Sequence, residues 1–364
     1  MKKKNLLKIF LPLLLVGALV VSSLYLAGCS GSSGSDNGTS SNGGSETPSK
    51  TIKFAFTVPM DDFGGIGAAK FEEVLESISG GKMQVNLFPA GQQGSMKEHW
   101  EGCQMGSLEI VYVAGSALET FVPEEAILDL PFLYPAGYDT AWEIIDGQLS
   151  EELNKLMNEK GFELLGIAPY GYNQFHNSVK EIKSLSDLAG MKIRIIPSPL
   201  KIHQFEAWGT NPTPIEFSEL YTALQQKVVD GGENSLSVIK TQKVYEVQDY
   251  ITISDHSLFM GILAANKGWY DSLTDEEKGW LKEAVQANID TQREVAKAER
   301  ENIIEFFKDY GVTVTYLSDE AKQEFAEKSK STHEMYASQS EASQKLLDIV
   351  YGELEARGIK LFEN

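Results

Sequence analysis

The sequence predicts an α/β fold built as two lobes, and three observations lead there. Strand-like and helix-like stretches alternate in the order β-α-β-α-β between residues 51 and 114, the pattern of a sheet covered by helices. The alternation returns between residues 139 and 265. A charged amphipathic run then extends from Thr274 to about Tyr310, longer than an ordinary globular helix and suited to bracing two lobes.

Each element has its own signature. Thr51 to Thr57 (TIKFAFT) alternates β-branched and aromatic residues and reads as a strand. Ile66, Ala69, Phe71, Val74, Leu75 and Ile78 recur at helical spacing, and Gly80-Gly81 stop them. Met83 to Phe88 and Glu109 to Ala114 are strands on either side of a helix from Ser95 to Met105. Asp139 to Glu159 reads as helical, with Trp142, Ile145, Leu149 and Leu153 on its apolar side. Phe162 to Ile167 and Lys192 to Ile196 are strands, and a helix within Phe217 to Val228 is expected to end at Asp230-Gly231-Gly232. The strand Phe259 to Ala265 precedes the long run, whose stripe includes Leu281, Val285, Ile289, Ile303 and Phe307. A last helix is expected near Glu341 to Glu355.

The first residues have a different character. Lys2, Lys3, Lys4 and Lys8 precede an apolar run from Ile9 to Val21, and Leu26-Ala27-Gly28 then places small residues before Cys29. That order is expected of an export signal, residues 1–28, cleaved before a cysteine that is then acylated. Its removal moves the net charge from −20 to −24. Residues 29–49 are rich in Ser and Gly and have too few apolar side chains to form a core; such a coil tethers a domain to a membrane with an r.m.s. reach of roughly 25 Å.

Composition narrows the function. With 52 acidic against 32 basic residues, the surface repels a phosphate backbone, so nucleic acid is not an expected partner. The only cysteine besides Cys29 is Cys103, read as a buried filler. No GxSxG, phosphate-binding loop, HExxH or EF-hand pattern is present, and the five histidines lack metal-ligand spacing. Neither cofactor nor metal is expected, and no nucleophile–base constellation argues for an enzyme.

Several ordered blocks resemble the extracytoplasmic solute receptors of tripartite ATP-independent periplasmic (TRAP) transporters, the DctP family. They are DLAGMKIR (187–194), GTNPTP (209–214), FSELYTALQQ (217–226) and VDGGEN (229–234), with GSLE (106–109) and LDLPFL (128–133) upstream. KVYE (243–246) and WYDSL (269–273) continue the likeness, which covers residues 51 to about 330. The resemblance implies a two-lobed, type II periplasmic-binding-protein fold with hinge strands. Residues 51–170 plus 259–298 would form lobe I, and 171–258 plus 299–364 lobe II. It also implies a ligand in the interlobe cleft and, as partners, the small and large integral membrane subunits of a secondary transporter. The chain would work outside the cytoplasm, held to the membrane through Cys29.

Arg194 stands in a strand with Ile193 and Ile195 facing the other way. A guanidinium can grip a carboxylate with two parallel hydrogen bonds, and the resemblance assigns Arg194 that role. It likewise points Asn234 and the aromatic Phe217 into the pocket, with Trp208 and Tyr172 as further aromatic walls. Asn234 is read as following a Gly-Gly turn. Many relatives have a second arginine in a Gly-x-Arg pattern where this chain reads Gly171-Tyr172-Asn173. The glutamate of sialic acid receptors is also absent from Val113-Ala114-Gly115-Ser116. The expected ligand is therefore a monocarboxylate, with a neutral sugar or nucleoside as the competing class.

Overall fold

The computed structural model describes residues 50–134 and 137–362. The leader, Cys29 and the Ser/Gly stretch lie outside the described residues. Among the described residues, ten strands form one continuous sheet: β1 (Lys50–Phe56), β2 (Met83–Phe88), β3 (Ile110–Ala114), β4 (Phe162–Asn177), β5 (Lys192–Ile195), β6 (Asn211–Pro214), β7 (Gly231–Ser235), β8 (Tyr250–Ile253), β9 (Leu258–Asn266) and β10 (Thr313–Tyr316). The main path runs β2-β1-β3-β9-β4-β7-β5-β6, with β8 and β10 branching from β4. The described residues also form α-helices: α1 (Phe63–Ile78), α2 (Met96–Met105), α3 (Tyr138–Ile144), α4 (Ser150–Glu159), α5 (Leu185–Leu188), α6 (Pro199–Ala207), α7 (Leu220–Gln225), α8 (Leu236–Thr241), α9 (Lys267–Asp271), α10 (Asp275–Tyr310), α11 (Asp319–Ala337) and α12 (Glu341–Ala356).

β4 joins the two halves of the sheet. Its first part pairs antiparallel with β9 from Phe162 to Tyr172, and its last part, Asn173 to Asn177, pairs with β7. The register slips between Pro169 and Gly171, and Gly171 has φ 112°, a backbone region that side chains rarely adopt. Phe162 to Ile167 was the expected strand; the observed one runs to Asn177 because its second half has polar residues that pair with a different neighbour.

The long helix spans both halves, as its length predicts. Leu281, Ala284, Val285 and Ile289 of α10 enter the core around β3 and β9. Ala296, Ile303, Ile304 and Phe307 enter a second core with β8 and α8. Thr274 and Glu277 form a reciprocal capping box at its start, and Gly311 in the left-handed region ends it.

Asp139 to Glu159 is helical as expected, with a π-helical turn between α3 and α4 in which Gly147 leaves helical geometry (φ −89°, ψ −143°), as a residue without Cβ readily does. Two expectations are corrected. Gly231 and Gly232 do not end a helix but open β7; α7 has already stopped at Gln225, and Lys227 makes the turn at φ 56°. The C-terminal residues do not all pack with the second lobe, because Leu346, Leu347, Val350 and Leu354 of α12 enter the first core. Cys103 is fully buried, and burial pushes its thiol pKa well up, so it is a packing residue. Among the described residues, no helix is long and apolar enough to cross a membrane.

Candidate functional site

Strands β1, β2 and β3 run parallel in one half of the sheet, as do β5, β6 and β7 in the other. In open α/β sheets, ligands bind beyond the carboxyl ends of such strands. A cavity of about 650 Å³ opens there, lined from the first half by Thr57, Pro59 and Met96 and from the second by Glu216, Phe217 and Tyr221.

β5 places Arg194 behind this wall. The pleat sends Ile193 and Ile195 into a hydrophobic cluster with Phe205 and Phe325, leaving Arg194 on the opposite face. Its Nε donates to the Ile215 carbonyl at 3.0 Å, next to cavity-lining Glu216 and Phe217. The residue is fully buried, and both terminal nitrogens lack a hydrogen-bond partner among the described residues. Burial lowers its pKa to about 10, against the pull of Glu233 and Glu216, so it is a cation at neutral pH. Buried charges are normally paired and hydrogen-bonded; a guanidinium with two open donor nitrogens is built to receive an acceptor.

Asn234 shares this face of the sheet, two residues beyond Gly232, which lies in register with both Arg194 and His176. It is buried, and its side chain lies 3.1 Å from His176 Nε2. The backbone that brings it there is strand, not the turn expected from Gly231-Gly232.

The other expected residues have different settings. The pleat of β4 puts Asn173 on the face opposite His176, where its Nδ2 donates to Ser257 Oγ at 3.1 Å. Tyr172 bonds the backbone of Gly137 and packs on Tyr138. Trp208 is not a wall of the cavity. Its ring packs among Phe175, Phe205, Phe325 and His256, and its indole N–H donates to Ser329 Oγ at 3.1 Å; it follows α6 directly, and the end of that helix turns it into the core.

The spacing of types in the sequence did not reveal a buried charge network on the other face. Glu233 forms an ion pair with Lys201 Nζ at 3.1 Å and accepts from His256 Nε2 at 2.6 Å. Burial alone would raise the Glu233 pKa, but Lys201 and His256 overcome it and hold it at about 2. Two further carboxylates cross between the halves of the sheet. Glu119, after β3, accepts from Ser198 Oγ and the Leu200 amide at the start of α6. Asp62 caps α1 through Gly64 and accepts from Ser237 (2.6 Å) and Thr241 (3.3 Å) of α8. Burial raises Glu119 to about 7 and Asp62 to about 6.

Asp62 yields a test of this burial. A carboxyl whose pKa rises on folding contributes its stability fully below the unfolded value of 3.8 and loses it as pH climbs through about 6. Asp62→Asn keeps the shape and the acceptor. It is expected to match the wild type at pH 3.5 and to exceed it at pH 7.5 by up to about 3 kcal/mol, measured by urea denaturation. Equal stabilities at both pH values would show that the carboxylate is not desolvated.

The two half-sheets, the strand and helix that join them, and an anion-seeking cation behind a cavity define a two-lobed solute-binding protein. A profile of the bacterial extracellular solute-binding proteins, family 7 (DctP), matches residues 54–339, and the chain belongs to that family. An ectoine/5-hydroxyectoine-binding periplasmic protein of Ruegeria pomeroyi is 31% identical over 290 residues, covering 78% of this chain and 84% of the relative. A C4-dicarboxylate-binding periplasmic protein of Rhodobacter capsulatus is 30% identical over 310 residues, covering 84% and 86%. The sugar acid binding protein of Advenella mimigardefordensis, solved with galactonate, superposes with a TM-score of 0.79 at 31% identity, covering 83% of this chain and 98% of that one. The family is one of solute receptors, and its members' ligands differ.

Proposed function

We propose that this chain is the extracytoplasmic receptor of a TRAP-type secondary transporter, closing its two lobes over a small organic acid and delivering it to the small and large membrane subunits. Residues 51–170 plus 259–298 are proposed as lobe I and 171–258 plus 299–337 as lobe II, with α12 returning to lobe I. The observation that supports the ligand class is Arg194, buried with two terminal nitrogens unpartnered among the described residues. Phe217, on the segment that Arg194 holds, would pack against the solute, and Asn234 would bond it. Arg194 is the one cation assigned to the site, so a single carboxylate is proposed; Asn173, bonded to Ser257 on the other face of β4, adds nothing to it. Mass spectrometry of the molecule retained through gentle purification, followed by titration of that molecule, tests the reading; a retained neutral solute would replace it.

That second reading has one observation in its favour. Glu216 lines the cavity and acts on Arg194 electrostatically, so the pair could leave a neutral site for a sugar or nucleoside.

A lipid on Cys29 is proposed as the anchor, on the strength of the leader and the small residues before it. Cys29→Ser is expected to abolish labelling by a metabolically supplied fatty acid and to leave precursor or released protein. Labelled Cys29→Ser protein would refute the anchor.

A further inference from the structure

A chain of buried polar groups runs from Gln248 through His176 to the Asn234 amide. Gln248 Nε2 sits 2.9 Å from the Val247 carbonyl. A carbonyl only accepts, so the nitrogen end of the Gln248 amide belongs there and the oxygen end belongs against His176 Nδ1, at 3.0 Å. Nδ1 must then have the ring proton.

The imidazole has no second proton to give. His176 is fully buried; burial lowers its pKa to about 4, and Arg194 pushes the same way while Gln248, Asn234 and Glu233 oppose. Nε2 is thus a lone pair. The structure sets Asn234 Oδ1 3.1 Å from it, which would oppose two acceptors. The two ends of an amide have the same shape, and the hydrogen-bond network decides between them. Turned by 180°, Asn234 donates Nδ2–H to Nε2, and every member of the chain is satisfied.

The ring also packs closely over Gly232. A Cβ there would stand 3.0 Å from His176 Cε1, 3.1 Å from Nε2 and 3.2 Å from the Arg194 carbonyl oxygen, tighter than most such contacts, so a larger residue would press on the imidazole. The end of the Asn234 amide away from His176 has no hydrogen-bond partner among the described residues.

We infer that His176 and Gln248 are positioning residues that turn the Asn234 carbonyl oxygen toward the ligand, so that the site selects a carboxylate with a hydrogen-bond donor beside it, a 2-hydroxy acid. This rests on the proposed organic-acid cleft. Arg194 supplies donors to the carboxylate, and Asn234 supplies the acceptor that a neighbouring hydroxyl needs. A ligand without that hydroxyl would leave the carbonyl unsatisfied in a closed cleft.

Two experiments test it. Nitrogen NMR of the ligand-free, histidine-labelled protein at pH 7 is expected to show His176 as the neutral tautomer protonated at Nδ1; protonation at Nε2 overturns the inference whatever the ligand. Calorimetric titration then compares D-galactonate with its 2-deoxy analogue and L-malate with succinate. The hydroxy acid of a pair is expected to bind at least about tenfold tighter, as one unsatisfied buried acceptor implies. His176→Phe keeps the ring but frees the amide, and should reduce that ratio to near one with the protein still folded. A wild-type ratio of one or below, or a ratio unchanged in His176→Phe, overturns the inference. Should His176→Phe fail to fold, the tautomer and the wild-type ratios decide. Failure of every acid to bind, with His176 protonated at Nδ1, would instead overturn the organic-acid reading and the substrate class with it, leaving the positioning of Asn234 standing.

Discussion

Arg194→Ala is expected to weaken carboxylate binding by roughly 30-fold to several thousand-fold, the loss of about 2 to 5 kcal/mol that follows when one partner of a desolvated charge pair is removed. Two effects combine. The ligand's charge would lose both open guanidinium nitrogens, and the Ile215 carbonyl would lose its 3.0 Å donor, loosening the wall that includes Phe217. Arg194→Lys keeps the charge but not the fork, so its affinity should fall between the two. Titration of the retained ligand against wild type and both variants makes the measurement. If Arg194→Ala binds within about twofold of wild type while folded, Arg194 does not hold a carboxylate, and the pairing with Glu216 becomes the account of its charge.

How legible this was in the sequence varied with the physics of each element. Period-2 and period-3.6 patterns report burial on one face, so β1, β2, β3, α1 and α10 stand close to where the residues predict. β6 has the sequence NPTP, which argues against a strand because proline has no N–H to give. It survives at the end of the sheet, paired only with β5, where a missing donor is tolerated. α11 is 19 residues long, yet it was not expected: its sequence is dominated by polar side chains, and its buried face includes Ser329, Thr332 and His333. His333 is sheltered by bonds to the Pro131 carbonyl and Tyr351, contacts that span 202 and 18 residues and have no local trace.

The candidate site divides in the same way. The place of Arg194 on the strand face away from Ile193 and Ile195 was readable from alternation, and its role on a carboxylate is the proposal that the family likeness suggested. Trp208 was misread since an aromatic residue beside the ligand motif and one in the core look alike in sequence; only Phe325 and Ser329, more than a hundred residues later, show which it is. His176, Gln248 and Lys201 were invisible for a related reason. Their significance lies in what they touch, and the contacts of His176 with Asn234 and of Lys201 with Glu233 are made only once β4, β7 and α6 are assembled.

Glu233→Leu is expected to destabilise the protein by about 3 kcal/mol, near the lower end of the 3 to 5 kcal/mol range for breaking a buried ion pair. Lys201 is 1% exposed and would lose the carboxylate 3.1 Å away, while His256, whose Nε2 donates to the acceptor-only Glu233, would lose its partner as well. The loss stays moderate because other acids surround Lys201. Burial first, and mutual repulsion second, raise the pKa of Glu125 well above its usual value; burial, against the attraction of Lys201, raises Asp129 to about 6. Without Glu233, Asp129 would ionise more readily and take over part of its role. Pairing Glu233→Leu with Lys201→Met should recover most of the stability, since an apolar pair removes both desolvation penalties, and the coupling in that double-mutant cycle isolates the ion pair. The pH dependence has a definite sign. Glu233 is held at about 2, so its contribution is present above the unfolded carboxyl value near 4.5 and is lost as pH falls toward 2. The gap between wild type and Glu233→Leu, measured by urea denaturation, should therefore hold steady between pH 7 and 8, above the Asp129 titration near 6, and shrink below pH 4.5 as Glu233 is protonated. A gap under about 1 kcal/mol at pH 7, or one that widens below pH 4.5, would mean that Lys201 is neutralised by Glu125 and Asp129 rather than by Glu233.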